Sequence, residues 1–466
     1  MVRRVALPVL DADPSDPLAL YRRLRAAGGH GFLFESREGA SRCSFLGVGP
    51  RAIHRFRAGS KADPLRFMER FVGSRAVAPS DAALPSFAGG LVGFLSFECV
   101  GRVEPRLATS ARDELGFPEA LLMDFDAIVA LEPARREPLV IVEARTERGG
   151  DERATLDEAR ARGGDRGALR RDVPEVGAPR LGLGPTVART PQRAFVDAVR
   201  RAKRHIARGD CQQIVLAKRF DRAGAVDPVA AFGALRAINP SPYLFLVEAG
   251  PLALVGSSPE TLVRVRGSRG GVREVVLKPI AGTRRRGADE VEDARLEREL
   301  RGDEKENAEH SMLLDLGRND VGRVAAYGTV EVVRRAAVER YSHVMHLVSE
   351  VRGVLAPGLT EVDALRAAFP AGTLSGAPKV RAIEILRALE PCARGAYGGA
   401  VGFVDSAGAL DLAITIRTLV VSRGRVSAQA GAGVVHDSSP TAELEETHHK
   451  ARAVLRAAEI AGGDHV

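Results

Sequence analysis

Residues 242–258 read PYLFLVEAGPLALVGSS. Two aliphatic and aromatic runs, PYLFLVEA and LALVGSS, follow one another with only Gly250 and Pro251 between them, which is the pattern of consecutive strands. Similar runs occur along the whole chain: FLFES (32–36), SFLGVGP (44–50), FAGGLVGFLSFE (87–98), ALLMDFDAIVAL (120–131), PLVIVEA (138–144), CQQIVLAKRF (211–220), REVVLKPI (273–280), AVGFVD (400–405) and RVSAQAGAGVV (425–435). Helix-period segments at 191–210, 288–317, 358–369, 376–391 and 439–460 separate some of them. Strands cluster instead of alternating strictly with helices, so the expected fold is α+β with large antiparallel sheets.

The chain has 466 residues, enough for about two to four domains or one elaborate fold. A charged, glycine-rich stretch, TERGGDERATLDEARARGGDRGALRRD (146–172), runs into the proline-punctuated DVPEVGAPRLGLGPTVART (172–190). This divides the chain into an N-terminal region, 1–150, a connecting segment, 151–189, and a C-terminal region, 190–462. Hydrophobic residues make up 45% and charged residues 27%, which supports a large core and excludes wholesale disorder.

The 68 Lys and Arg against 60 Asp and Glu leave a formal charge of +8. With no Trp and only 5 Tyr there is little material for stacking bases, so the charge suits a small anionic substrate better than nucleic acid. Cys43, Cys99, Cys211 and Cys392 form no CxxC pair, which excludes a zinc ribbon or disulfide framework and fits a reducing cytoplasm. The opening MVRRVALPVLDADPSDP is interrupted at Pro8 and Asp11, and no run reaches a membrane-spanning length.

Three constellations carry chemistry. Glu306 and Glu309, and again Glu443 and Glu446, stand one helical turn apart, so each pair of carboxylates shares a helix face. Two such faces together would suit a hard cation such as Mg²⁺, although solvated helices carry the same spacing. Glycine-bearing loops at 278–287 (KPIAGTRRRG), 371–379 (AGTLSGAPK) and 429–435 (QAGAGVV) can present backbone amides to an anion. AGTLSGAPK is not a Walker loop, because Ala377 and Pro378 separate Gly376 from Lys379. Near these loops stand Glu260, His343, Tyr397, Arg417 and Lys450, suited to proton transfer or carboxylate binding.

In order along the chain, GDCQQIVLAKRF, NPSPYLF, GSSPE, PIAGTRRRG, DEKENAEHSMLLDLGRNDVGRVA, ERYSHVMH, FPAGTLSGAPKVRAIEIL, GGAVGF, AITIRT and QAGAGVVHDSSPTAELEET resemble the chorismate-utilising enzyme family. The resemblance implies two antiparallel sheets packed together and flanked by helices, with 190–462 as the chorismate-binding catalytic region. It implies Mg²⁺ at Glu306, Glu309, Glu443 and Glu446, and a ring carboxylate held with Lys450 and the backbone of Gly431, Ala432 and Gly433. Tyr397 and Arg417 match positions that grip the enolpyruvyl carboxylate, and Gly282, Thr283 and Thr373 match substrate-contacting loop positions. Glu260 is the expected acid for the leaving hydroxyl, with Thr373 and His343 completing the catalytic set.

Two positions separate the branches of that family. Water-using members carry a Lys base where this chain has Gln213, and aminodeoxychorismate synthases often carry a nucleophilic Lys where it has Ala281. An amide cannot deprotonate water and a methyl group cannot attack a ring. The expected reaction is therefore that of the anthranilate synthase large subunit, in which ammonia and chorismate give anthranilate and pyruvate; the alternative is the aminodeoxychorismate branch, and the remote one a basic nucleic-acid-binding protein. None of the four cysteines has a glutaminase nucleophile setting, which implies a separate glutamine amidotransferase subunit as ammonia source. FLFES and NPSPYLF resemble the elements of a tryptophan feedback site, placing Glu35, Ser36, Pro242 and Tyr243 there, with Cys43 where an aromatic is usual.

Overall fold

The computed structural model describes residues 2–8, 16–25, 29–36, 43–78, 84–108, 113–132, 138–145, 157, 182–267, 271–341 and 344–463. Most of the connecting segment, and His343, lie outside them. Every strand ladder among the described residues is antiparallel, and the strands form two sheets of 12 and 10 strands. The α+β architecture expected from clustered strands is present.

Both sheets draw strands from each side of the connecting segment. In the larger sheet His30–Ser36 pairs with Tyr243–Ala249, which pairs with Leu252–Ser258. Further along, Thr418–Ser422, Arg425–Val434 and Gln213–Ala223 follow in order. In the smaller sheet Ala400–Asp405 bridges Gly90–Leu95 and Leu410–Ile414, and Val344–Val354 pairs with Ile280–Arg285.

Phenylalanines fill the space between the sheets. Phe32 and Phe245 from the larger sheet meet Phe125, Phe87 and Phe403 on the other side, with ring centroids of Phe32 and Phe125 4.8 Å apart and of Phe87 and Phe403 4.4 Å apart. Aromatic pairs in such geometry add to the burial of apolar area. At the rim, Arg4 ties the sheets together by donating to Glu143 at 3.3 Å and to Asp405 at 2.5 Å.

The helix-period segment 288–317 is two helices, Glu290–Gly302 and Glu304–Gly322. Asp303 causes the break and starts the second helix, its carboxylate accepting from the Glu306 amide at 3.0 Å. Three helices absent from the sequence reading, Pro17–Leu24, Pro64–Gly73 and Pro228–Ile238, each begin at an Asp-Pro pair, where the aspartate caps the end and proline takes the first turn. No helix among the described residues is long and apolar enough to cross a membrane.

Because Phe32 is fully buried between the sheets, Phe32→Ala is expected to lower unfolding free energy by about 3–5 kcal/mol in urea denaturation. A loss below about 1 kcal/mol would show that this cluster is not the inter-sheet core.

Candidate active site

A cavity of about 540 Å³ opens between the edge of the smaller sheet, two strands of the larger one and two acidic helices. Its walls come from Ile280–Arg285 and Val344–Val354, from Gln213–Ala223 and Arg425–Val434, and from Glu304–Gly322 and Pro440–Gly462. Residues more than 200 positions apart meet there because antiparallel pairing brings distant strands side by side.

At the inner end Glu260 is 7% exposed. Burial pushes its carboxyl up to about pKa 8, while the Thr373 hydroxyl and the Lys450 charge pull it partway back. The Thr373 hydroxyl donates to Glu260 Oε1 at 3.0 Å. That oxygen is therefore an acceptor, and Oε2 is left to carry the proton. A carboxyl protonated at neutral pH and facing a cavity is equipped as a general acid.

The side of the cavity that carries Arg417 and Lys450 is built from close backbone approaches. Gly282 sits at φ +73, where the register of its strand shifts, and Gly431 lies so near the Tyr397 hydroxyl that a Cβ would meet it at 2.5 Å. Lys450 donates to the Gly431 carbonyl at 3.1 Å and pairs with Glu446 at 2.5 Å. Arg417 holds a left-handed backbone, φ +49, and burial pulls its pKa down; such strain in a non-glycine residue is typical of sites.

His346 lines this cavity. Its Nδ1 stands 3.0 Å from the Gly282 carbonyl and 3.0 Å from the Thr283 hydroxyl. A carbonyl can only accept, so Nδ1 carries the hydrogen and Nε2 keeps its lone pair. Burial lowers the ring's pKa, helped by the Arg417 charge, which favours the neutral base.

The four carboxylates expected to bind Mg²⁺ face the same cavity. Burial is the main cause of a raised pKa at Glu306, with Glu309 adding to it; burial likewise raises Glu443, with Glu446 adding. Crowded, desolvated oxygens of this kind fit a hard divalent cation in donor chemistry. All four carboxylates have protein partners: Glu306 accepts from Arg284 at 3.2 Å, Glu309 from Gln213 at 3.0 Å, Glu443 from Ser438, and Glu446 pairs with Lys450. Accordingly, no three His, Cys, Asp or Glu side chains among the described residues converge as a finished metal cluster.

Of the residues expected from sequence, Glu260, Gly282, Thr283, Glu306, Glu309, Thr373, Tyr397, Arg417, Gly431, Gly433, Glu443, Glu446 and Lys450 line the cavity. Ala432, between two lining glycines on an extended strand, is buried and not among the lining residues. His346, which the sequence analysis did not name, lines the cavity, whereas His343, the histidine it named, lies outside the described residues.

A second cavity, of about 780 Å³, is lined by strands of both sheets. Glu35, Ser36, Cys43 and Tyr243 line it, and Pro242 does not. Tyr243 is fixed by hydrogen bonds between its hydroxyl and Thr261 Oγ1 at 2.8 Å, Asp411 Oδ1 at 3.0 Å and Arg264 Nη2 at 2.6 Å. The Glu35 carboxylate pairs with Arg236 at 3.0 Å.

Residues 29–456 match the family described as chorismate binding enzyme, and the chain belongs to that family. It is similar to anthranilate synthase component 1 of Thermus thermophilus, with 43% identity over 97% of this chain and 96% of the relative, and to that of Pseudomonas aeruginosa, with 43% identity over 97% and 94%. Among solved structures, anthranilate synthase component I from Streptococcus pneumoniae superposes with a TM-score of 0.78 at 32% identity, covering 96% of this chain and 98% of that one. The menaquinone-specific isochorismate synthase of Escherichia coli shares the fold, with a TM-score of 0.75 at 19% identity over 98% and 95%.

Gly431→Ala is expected to displace the Tyr397 hydroxyl and raise KM for chorismate by about tenfold or more, with circular dichroism unchanged. An unaltered KM would show that this contact does not shape the substrate site.

Proposed function

We propose that the chain is the chorismate-using component of an anthranilate synthase, converting chorismate and ammonia to anthranilate, pyruvate and water. One observation carries the choice within the family: Gln213 and Ala281 both line the cavity, so neither position offers a lysine. The Gln213 carboxamide donates to Glu309 at 3.0 Å, and a carboxamide is no base at neutral pH.

Tyr397 and Arg417 hold the enolpyruvyl carboxylate, and Lys450 with the Gly431–Gly433 backbone holds the ring carboxylate. Mg²⁺, when bound by Glu306, Glu309, Glu443 and Glu446, supplies positive charge beside that carboxylate. Ammonia attacks ring carbon C2, both ring double bonds shift, the C4 hydroxyl leaves as water with the proton of Glu260, and the ammonium formed at C2 gives a proton back to the Glu260 carboxylate. His346, neutral and with a free Nε2, is placed to accept the C2 proton as the C3–O bond breaks and pyruvate departs. His343, the histidine expected from sequence, lies outside the described residues, and the cavity position of His346 favours it for this role.

The ammonia comes from a separate glutamine amidotransferase subunit. Burial raises the thiols of Cys99, Cys211 and Cys392, Cys211 to about 11, so none of these is a ready thiolate nucleophile. All four cysteines are free, which suits a cytoplasmic location. The 780 Å³ cavity is the site of a tryptophan effector, with Glu35 and Ser36 on one strand and Tyr243 on its neighbour.

Chorismate, Mg²⁺ and high ammonium with the purified protein should yield fluorescent anthranilate by chromatography. Aminodeoxychorismate or isochorismate as sole product would contradict this function. Glu309→Gln and Glu446→Gln should each abolish Mg²⁺-dependent turnover with the fold intact, and normal activity in both would remove the metal assignment. Calorimetry with tryptophan should give saturable heat that Ser36→Phe removes; absence of heat and of inhibition would remove the effector.

A further inference from the structure

Arg394 lies behind Tyr397, 3% exposed and outside the catalytic cavity. Its guanidinium reaches separate pieces of chain. Nη1 donates to the Leu374 carbonyl at 2.6 Å, Nη2 to the Val215 carbonyl at 2.7 Å and to Glu390 Oε1 at 2.6 Å, and Nε to Glu390 Oε2 at 2.8 Å. Glu390 also accepts from the Ala217 amide at 2.9 Å. The cation lies 4.5 Å from the Phe97 ring centroid and 5.5 Å from that of Tyr397.

Each segment so held carries a group of the site. Leu374 follows Thr373, the donor to Glu260; Val215 shares a strand and a face with Gln213; Tyr397 contacts the glycine loop. The backbone of the same turn is anchored independently, the Arg394 and Gly395 amides donating to Glu98 at 2.9 and 3.1 Å. The turn is thus tied down without the guanidinium, whose own contacts reach the strand and the Thr373 loop.

We propose that Arg394 is a positioning residue for the reaction, fixing the Thr373 hydroxyl on Glu260 in register with Gln213 and Tyr397. This rests on the reading of the cavity as the chorismate site. Only a planar fork satisfies two carbonyls and a bidentate carboxylate together; a lysine ammonium keeps the charge but cannot span them.

The test compares Arg394→Lys with the parent by pH profile of kcat, using chorismate, Mg²⁺ and ammonium. The reaction needs protonated Glu260, so parent activity falls as pH rises through about 8. The charged and titratable groups facing Glu260 are Lys450, with His346, Arg417 and the carboxylates of Glu306, Glu309, Glu443 and Glu446 around the same cavity, and Lys278 and Asp320 across a small cavity behind it; none is altered. Loosening Thr373 removes a hydrogen bond that favours the charged carboxylate, so the alkaline limb should move upward while kcat drops about 10- to 100-fold. Adding Thr373→Ala should then move the limb no further.

A limb that superposes on the parent's, or shifts that add in the double variant, would overturn the proposal. If Arg394→Lys does not fold, Glu390→Gln weakens the same grip, and the same displacement or its absence decides. Failure of the underlying reading is distinguishable, because the parent itself would then make no anthranilate.

Discussion

A carboxyl group that is to give up a proton near neutral pH has to be kept from water while the substrate reaches it. Glu260 meets both demands: it is almost enclosed, yet forms part of the wall of an open cavity. Desolvation raises its pKa by disfavouring the charged form, and the Thr373 hydroxyl limits the rise and leaves Oε2 to carry the proton. The fold serves that arrangement. Glu260 ends a tight connection between Leu252–Ser258 of one sheet and Thr261–Arg266 of the other, so this carboxyl sits where the chain crosses between layers. Tyr243, in the second cavity, bonds to Thr261, the next residue along.

Several of the chain's arginines are committed to internal ion pairs. Arg4 meets Glu143 and Asp405, Arg75 meets Asp124 at 2.9 Å, Arg102 meets Glu119 at 2.7 Å, and Arg394 meets Glu390. Each carboxylate in these pairs is buried or nearly so, and a buried carboxylate needs a partner or it neutralises. Arginine, with its fixed charge and planar donors, suits that task. These arginines are thus structural and matched by carboxylates, so they add nothing to the net charge of the chain.

The strands were legible because their apolar runs are long and bounded by glycine, proline or charge. The acidic helices were legible because Glu306 with Glu309, and Glu443 with Glu446, keep helical spacing. Convergence of those two pairs was not, since nothing local in either helix names the other; the family resemblance supplied it. The missed helices at Asp16, Asp63 and Asp227 had a readable Asp-Pro start, and Leu65, Met68, Phe71 and Val72 even keep a helical spacing, so the signal was present and passed over. His346 was not singled out, because one histidine in HVMHLV carries no local sign that its strand borders a cavity. Arg394 was invisible, because a lone arginine in RGAYGG shows none of the carbonyls it will hold.

The account depends most on Glu260 being protonated when substrate arrives. Carboxyl titration by infrared difference spectroscopy on the parent protein and on Glu260→Gln, without substrate, measures this apart from turnover. The account predicts a protonated-carboxyl band that persists through neutral pH, disappears near pH 8 and is missing in Glu260→Gln. A Glu260 carboxyl that ionises at about 4–5, as in water, would contradict it.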